Sequence, residues 1–283
     1  MNSFRFNFSG EDATKNQLNA ASQAVEWFES DEILPEKQLK DIDDEKIRAR
    51  MFVAGNAEIG HVIVKTALAK AEKSGFVNAV NLAEKAHSDL IAGTYEGGLK
   101  IWECTYDMVE FLEKTEVDFE NKSVLDLGCG AGILGIYSLL KGSRVTFQDY
   151  NKEVLEYVTI PNVLLNIEED KETQLEKCKF YSGDWESFNK KLPESYLYDI
   201  ILMSETIYNE SNYDKLISTL IKRLRDSGIA YVAAKTYYFG VGGGVQQFSQ
   251  AVQRNGNLKC EFVWKNMEEG IHREILKLTH NKS

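Results

Sequence analysis

The chain is 283 residues long, 43% hydrophobic and 27% charged, so it carries enough apolar material for one fair-sized core or two small ones. With 33 basic against 44 acidic side chains its formal net charge is −11, which excludes a phosphate-neutralising body and hence direct nucleic-acid binding. No apolar run approaches the ~20 residues of a membrane helix, and the first dozen residues lack a basic-then-apolar signal pattern, so no membrane and a cytoplasmic or nuclear home are expected.

The first half-hundred residues are polar and acidic, with Asp41, Asp43, Asp44 and Glu45 clustered, and read as a solvated arm. Ile59, Val62, Ile63, Thr66 and Ala67 recur at helical spacing. Gly75 then punctuates before a second helix through Val80 and Ala83. Residues 1–87 thus form an N-terminal extension, an arm followed by helices. From Ser123 short apolar runs alternate with helical stretches. Ser123–Leu127, Arg144–Gln148, Lys179–Ser182, Tyr198–Met203 and Gly228–Ala234 read as strands. Helices follow from Ile133 to Leu140, Tyr213 to Arg225 and Val245 to Asn255. That rhythm predicts an α/β, Rossmann-like sheet, mainly parallel, with helices on both faces. The tail departs from it: Lys259–Trp264 and Ile271–Leu278, joined by a short polar stretch, suit an antiparallel hairpin. Dehydrogenase sheets stay parallel, whereas the common methyltransferase sheet ends with an inserted antiparallel strand.

The strongest motif is Val124–Gly132, VLDLGCGAG, a strand running into a glycine turn and a helix. Gly128, Gly130 and Gly132 let backbone pass close to a ligand, and the helix start supplies free N–H groups. The dinucleotide fingerprint needs a further glycine where Ile133 stands. Asp126 lies two residues before the first glycine. A carboxylate there would repel a pyrophosphate and suits an ammonium, which points to S-adenosyl-L-methionine (SAM). Asp149, at the tip of the second strand, is placed to accept from ribose hydroxyls. Gly183-Asp184-Trp185, after the third, offers an acceptor for an adenine amino group and a stacking ring. Ser204, Glu205, Tyr208 and Asn209 follow the fourth strand, where open α/β sheets place their chemistry. Cys104, Cys129, Cys178 and Cys260 form no CxxC pair and the four histidines are scattered, so reduced thiols and no metal site are expected.

Ser88-Asp89-Leu90-Ile91, Tyr95–Thr105 (YEGGLKIWECT), VLDLGCG, QDYN, SETIYN and AAKTYYFGVGGG together resemble the protein-histidine N-methyltransferases, across about residues 88–279. These are seven-strand SAM enzymes that modify a histidine of large-subunit ribosomal protein L3. The resemblance implies a methyltransferase domain over 88–283 that acts as a monomer on a basic ribosomal protein. It implies that Ile101, Trp102, Glu103, Cys104 and Thr105 line the SAM pocket from the segment before the first strand. Gly128, Cys129 and Gly130 would hold the methionine end, Asp149, Tyr150 and Asn151 the ribose, Gly183, Asp184 and Trp185 the adenine, and Ser204 the inner edge. Glu205, Tyr208 and Asn209 are the candidates to orient the acceptor ring. Tyr237, Tyr238, Phe239 and the glycines at 240 and 242–244 would shape the groove for a protein substrate. The rival readings are a lysine methyltransferase of the same fold, a nicotinamide oxidoreductase, and a silent SAM-binding chaperone of a ribosomal protein.

Overall fold

The computed structural model describes residues 27–42, 48–65, 67, 94–167, 170–239, 242–266 and 271–281. The acidic cluster beyond Ile42, the helix expected through Val80 and Ala83, Ser88 to Gly93 and Gly240 lie outside them.

Helix α1 spans Glu36–Ile42. Strands β1 (Ala49–Ala54) and β2 (Ala57–Val62) pair as an antiparallel hairpin, with Phe52 opposite Ile59. This corrects the helix expected from Ile59. The apolar residues there fit a 3.6-residue period, but the deciding signal is Gly55-Asn56, where Gly55 takes φ +58° and lets the chain double back. Tertiary bonds then fix the hairpin: Asn162 accepts the Val62 N–H at 2.8 Å, and Asn166 accepts the Gly60 N–H and donates to the Gly60 carbonyl, both at 2.8 Å.

The main sheet follows α2 (Glu103–Lys114). Its elements are β3 (Ser123–Leu127), α3 (Ile133–Leu140), β4 (Arg144–Asp149), then a helical rod α4 made of Lys152–Val154, a π-helical turn Leu155–Thr159 and Ile160–Asn166. Next come α5 (Lys171–Leu175), β5 (Cys178–Ser182), α6 (Trp185–Lys191), β6 (Tyr198–Ser204), α7 (Tyr213–Arg223), β7 (Leu224–Lys235), α8 (Val245–Asn255), β8 (Leu258–Lys265) and β9 (Arg273–His280). The strand order is β5-β4-β3-β6-β7-β9-β8. The first five run parallel, and β9 lies antiparallel between β7 and β8. This is the seven-strand sheet with a terminal hairpin that the alternation of runs implied.

One core cluster gathers the β1–β2 hairpin, α2, α3 and α4; the other gathers α6, α7 and α8. Both cover the sheet, which is why the parallel strands read as unbroken apolar runs. The π-turn in α4 has a local cause. Pro161 has no N–H to give to the turn before it, and its ring crowds that turn, which widens. The widened turn aims Thr159 and Asn162 at the glycine loop: Thr159 donates to the Gly130 carbonyl at 2.6 Å and Asn162 to the Ala131 carbonyl at 2.8 Å.

The acidic arm also needs correction. Its stretch from Trp27 to Ile33 is docked on the free edge of the sheet: Ile33 N–H donates to the Phe180 carbonyl, and Ser182 N–H to the Asp31 carbonyl, each at 2.8 Å. Among the described residues no helix is long and apolar enough to cross a membrane, and no cluster of three or more His, Cys, Asp or Glu is arranged to hold a metal.

Candidate active site

A cleft opens at the carboxyl ends of β3, β4, β5 and β6, where an open α/β sheet splays its loops and binds ligands. Its floor is the glycine turn. Gly128, Gly130 and Gly132 take φ of +71°, +51° and +75°. A Cβ on Gly130 would stand 3.1 Å from the Gly98 carbonyl oxygen, and one on Gly128 would stand 2.7 Å from Thr206 Cγ2. The turn is thus nested between Glu96–Gly98 and the loop after β6, with room for backbone alone.

Two carboxylates sit under and beside it. Asp126 is 2% exposed and accepts the Gly135 N–H at 2.8 Å. Burial, with the charge of Asp149 adding, pushes its pKa up to about 8. Asp149 accepts the Gly130 N–H at 2.9 Å and the Asn151 N–H at 3.0 Å, yet burial still raises it to about 6. Among the described residues neither carboxylate has a salt-bridge partner. The hydroxyl of Thr206, in the pocket wall, has no hydrogen-bond partner among them either. A floor of glycine backbone without side chains, two buried acids lacking a cation and an unpaired hydroxyl fits a ligand that brings cationic groups and hydroxyls. SAM has an ammonium, a sulfonium and a ribose.

The far end of the cleft is aromatic. Tyr150, Gly183, Asp184 and Trp185 line it. The Trp185 indole N–H donates to Gln148 at 3.0 Å, and Gln148 donates to the Gly183 carbonyl at 2.7 Å, which locks the ring. Asp184 caps α6 through the Glu186 N–H at 3.0 Å and pairs with Lys215 at 2.6 Å, so its carboxylate already carries two duties.

The segment before β3 supplies another wall. Ile101, Trp102 and Thr105 face the cleft. The Trp102 indole donates to the Gly97 carbonyl at 3.1 Å and Thr105 to Ser204 at 3.1 Å, which ties α2 to the tip of β6. Glu103 and Cys104 do not line the cleft. Glu103 points outward to Lys235 (3.7 Å) and Arg273 (3.9 Å), while Cys104 is buried and its N–H donates to Glu205. Asn151 also stands behind the wall, accepting the Glu96 N–H at 3.0 Å and donating to the Thr94 carbonyl at 2.8 Å.

After β6 the three acceptor candidates separate. Glu205 lines the cleft at φ +59°, an uncommon backbone for a non-glycine residue. Its carboxylate accepts the Tyr238 hydroxyl at 2.6 Å and lies 3.9 Å from Lys235. Tyr208 lines the cleft and its hydroxyl donates to the Glu96 carboxylate. Burial and that negative neighbour hold the Tyr208 phenol well above its usual pKa. Asn209 is elsewhere: it caps the 3₁₀ turn Glu210–Asn212, accepting from the Ser211 N–H at 3.0 Å and hydroxyl at 2.7 Å. Sequence reasoning singled out no role for Trp27, Glu96, Lys100, Thr206 or Asn212, all of which line the cleft. Glu96 was within reach, since two glycines follow it directly; Trp27 lies too far upstream for any spacing rule.

A family model described as "Lysine methyltransferase" matches residues 88–239. The histidine protein methyltransferase 1 homolog of Bos taurus is 39% identical over 268 residues, covering 86% of this chain and 70% of its own. The homolog of Mus musculus is 41% identical over 250 residues, covering 81% and 68%. Among solved structures, a SAM-dependent methyltransferase from Streptococcus mutans superposes with a TM-score of 0.53 at 13% identity, covering 82% of this chain and 56% of its own. The fold, the acid-flanked glycine turn and these matches agree: the chain belongs to the family of SAM-dependent protein methyltransferases that contains the histidine protein methyltransferase 1 homologs.

Proposed function

We propose that the chain methylates a ring nitrogen of a histidine in a protein substrate, and that the substrate is the basic ribosomal protein L3. When bound, SAM supplies a methyl group on a sulfonium. The observation that carries the reading is the Glu96–Tyr208 pair on the cleft wall. A neutral imidazole attacks with one nitrogen's lone pair while the other carries N–H. Glu96 is placed to accept that N–H, which fixes the tautomer and aims the free nitrogen. Transfer forms the N–CH3 bond as the S–CH3 bond breaks, leaving S-adenosylhomocysteine and a methylated imidazolium, which the same carboxylate stabilises until its N–H proton passes to solvent water. Glu205, held by Tyr238 and the Cys104 N–H, lies beside this mouth with the Lys235 ammonium 3.9 Å away, which offsets its charge. A lysine must instead lose a proton first, from a pKa near 10.4. Carboxylates around an ammonium raise that value further, so this mouth favours imidazole over lysine. The net charge of −11 suits a basic partner.

The test is to incubate the protein with methyl-labelled SAM and isolated large-subunit proteins, then locate the label by tandem mass spectrometry. Label on a histidine of L3 supports the reading. Label on another protein removes L3, and label on lysine removes the histidine assignment.

A further inference from the structure

We infer that Trp27 is a cofactor-binding residue: the segment from Trp27 to Ile33, upstream of the matched family region, forms the outer wall of the nucleobase end of the cleft. The segment is built into the sheet edge. Besides the bonds of Ile33 and Ser182, the Asp184 N–H donates to the Phe28 carbonyl at 2.9 Å, and the Ser30 N–H donates to the Ser187 hydroxyl at 2.9 Å. The fit is tight: a Cβ on Gly183 would stand 2.4 Å from the Glu29 carbonyl oxygen. Gly183 is therefore needed for this strand-like passage as much as for the cleft.

This docking delivers two rings. Phe28 stacks on Tyr150 with centroids 5.0 Å apart and planes at 17°. Trp27 meets Tyr150 edge-on at 5.9 Å and itself lines the cleft. Lys215 clamps it from outside, its ammonium 3.9 Å from the Trp27 ring centroid and 2.6 Å from Asp184. Such a cation over an indole face, itself paired to a carboxylate, holds the ring in place. Trp27, Tyr150, Asp184 and Trp185 thus all line the cleft near the ends of β4 and β5, three of them aromatic. The chemistry there suits a purine, which offers π faces to the rings.

The test is calorimetric titration of the full chain and its Trp27→Ala and Trp27→Phe variants with S-adenosylhomocysteine and with 5′-methylthioadenosine, which lacks the amino-acid part. Alanine should weaken both ligands by about tenfold or more, the scale of losing a base–aromatic contact. Phenylalanine should restore most of the loss. In the wild-type chain, ligand should also slow amide hydrogen exchange at Ile33, Ser182 and Asp184, a readout that needs no variant to fold. Unchanged affinity in Trp27→Ala, a loss confined to S-adenosylhomocysteine, or unchanged exchange at those amides overturns the inference. Absence of binding by the wild-type chain would instead sink the cofactor assignment itself.

Discussion

The two buried carboxylates make cofactor binding a proton-linked event. Asp126, raised to about 8, is mostly protonated at neutral pH in the empty cleft, and Asp149, raised to about 6, is mostly ionised. A cation seated beside them favours the ionised forms. Binding at pH 7 should therefore release about one proton, nearly all of it from Asp126. Affinity should rise roughly hundredfold from pH 6 to pH 8, about fiftyfold from Asp126 and about twofold from Asp149. The sign for the empty protein is opposite. A carboxyl with a raised folded pKa binds more protons folded than unfolded, so its contribution to stability is full below the unfolded value near 3.8 and is lost as pH rises through about 8. The assay is titration with SAM in two buffers of different ionisation enthalpy, which counts released protons, repeated with Asp126→Asn. The asparagine can still accept the Gly135 N–H but cannot ionise. It should lose the proton release, apart from the ligand's own amine and the small share of Asp149. Equal proton counts for the wild type and Asp126→Asn would refute the reasoning.

Other predictions follow from the same geometry. Glu96→Gln and Tyr208→Phe should leave the dissociation constant for S-adenosylhomocysteine within a few-fold, while lowering kcat by roughly 10²-fold or more, as loss of an orienting group does; parallel loss of both quantities would assign the pair to the cofactor instead. Gly130→Ala forces a side chain into φ +51° and against the Gly98 carbonyl at 3.1 Å. It should abolish measurable cofactor binding in calorimetry while the far-ultraviolet circular dichroism stays near that of the wild type.

The sheet was legible because its signals are local. Each parallel strand is buried on both faces and reads as an apolar run, and the glycine turn announces itself by spacing. Asp149 and Gly183 to Trp185, all of which line the cleft, were reachable for the same reason, since each follows a strand end in register. What failed was non-local. The β1–β2 hairpin was misread because a run of apolar residues satisfies a helical period, and only Gly55-Asn56 betrays the reversal. The arm looked solvated because its composition is acidic, yet its Trp27–Ile33 stretch docks through backbone bonds that carry no sequence signature. Glu103 and Cys104 sit next to cleft-lining neighbours, but successive helical positions point different ways, so α2 turns one outward and the other into the core. Asn209 was drawn to the site by its place after β6, where its short side chain serves the backbone instead.

The account rests on an imidazole as the acceptor. Acid hydrolysis of protein substrate labelled by this chain, followed by chromatographic separation of the labelled amino acids, decides that point directly. The label should run with methylhistidine. Label running with a methylated lysine, or the absence of labelled product from a chain that binds SAM, would contradict it.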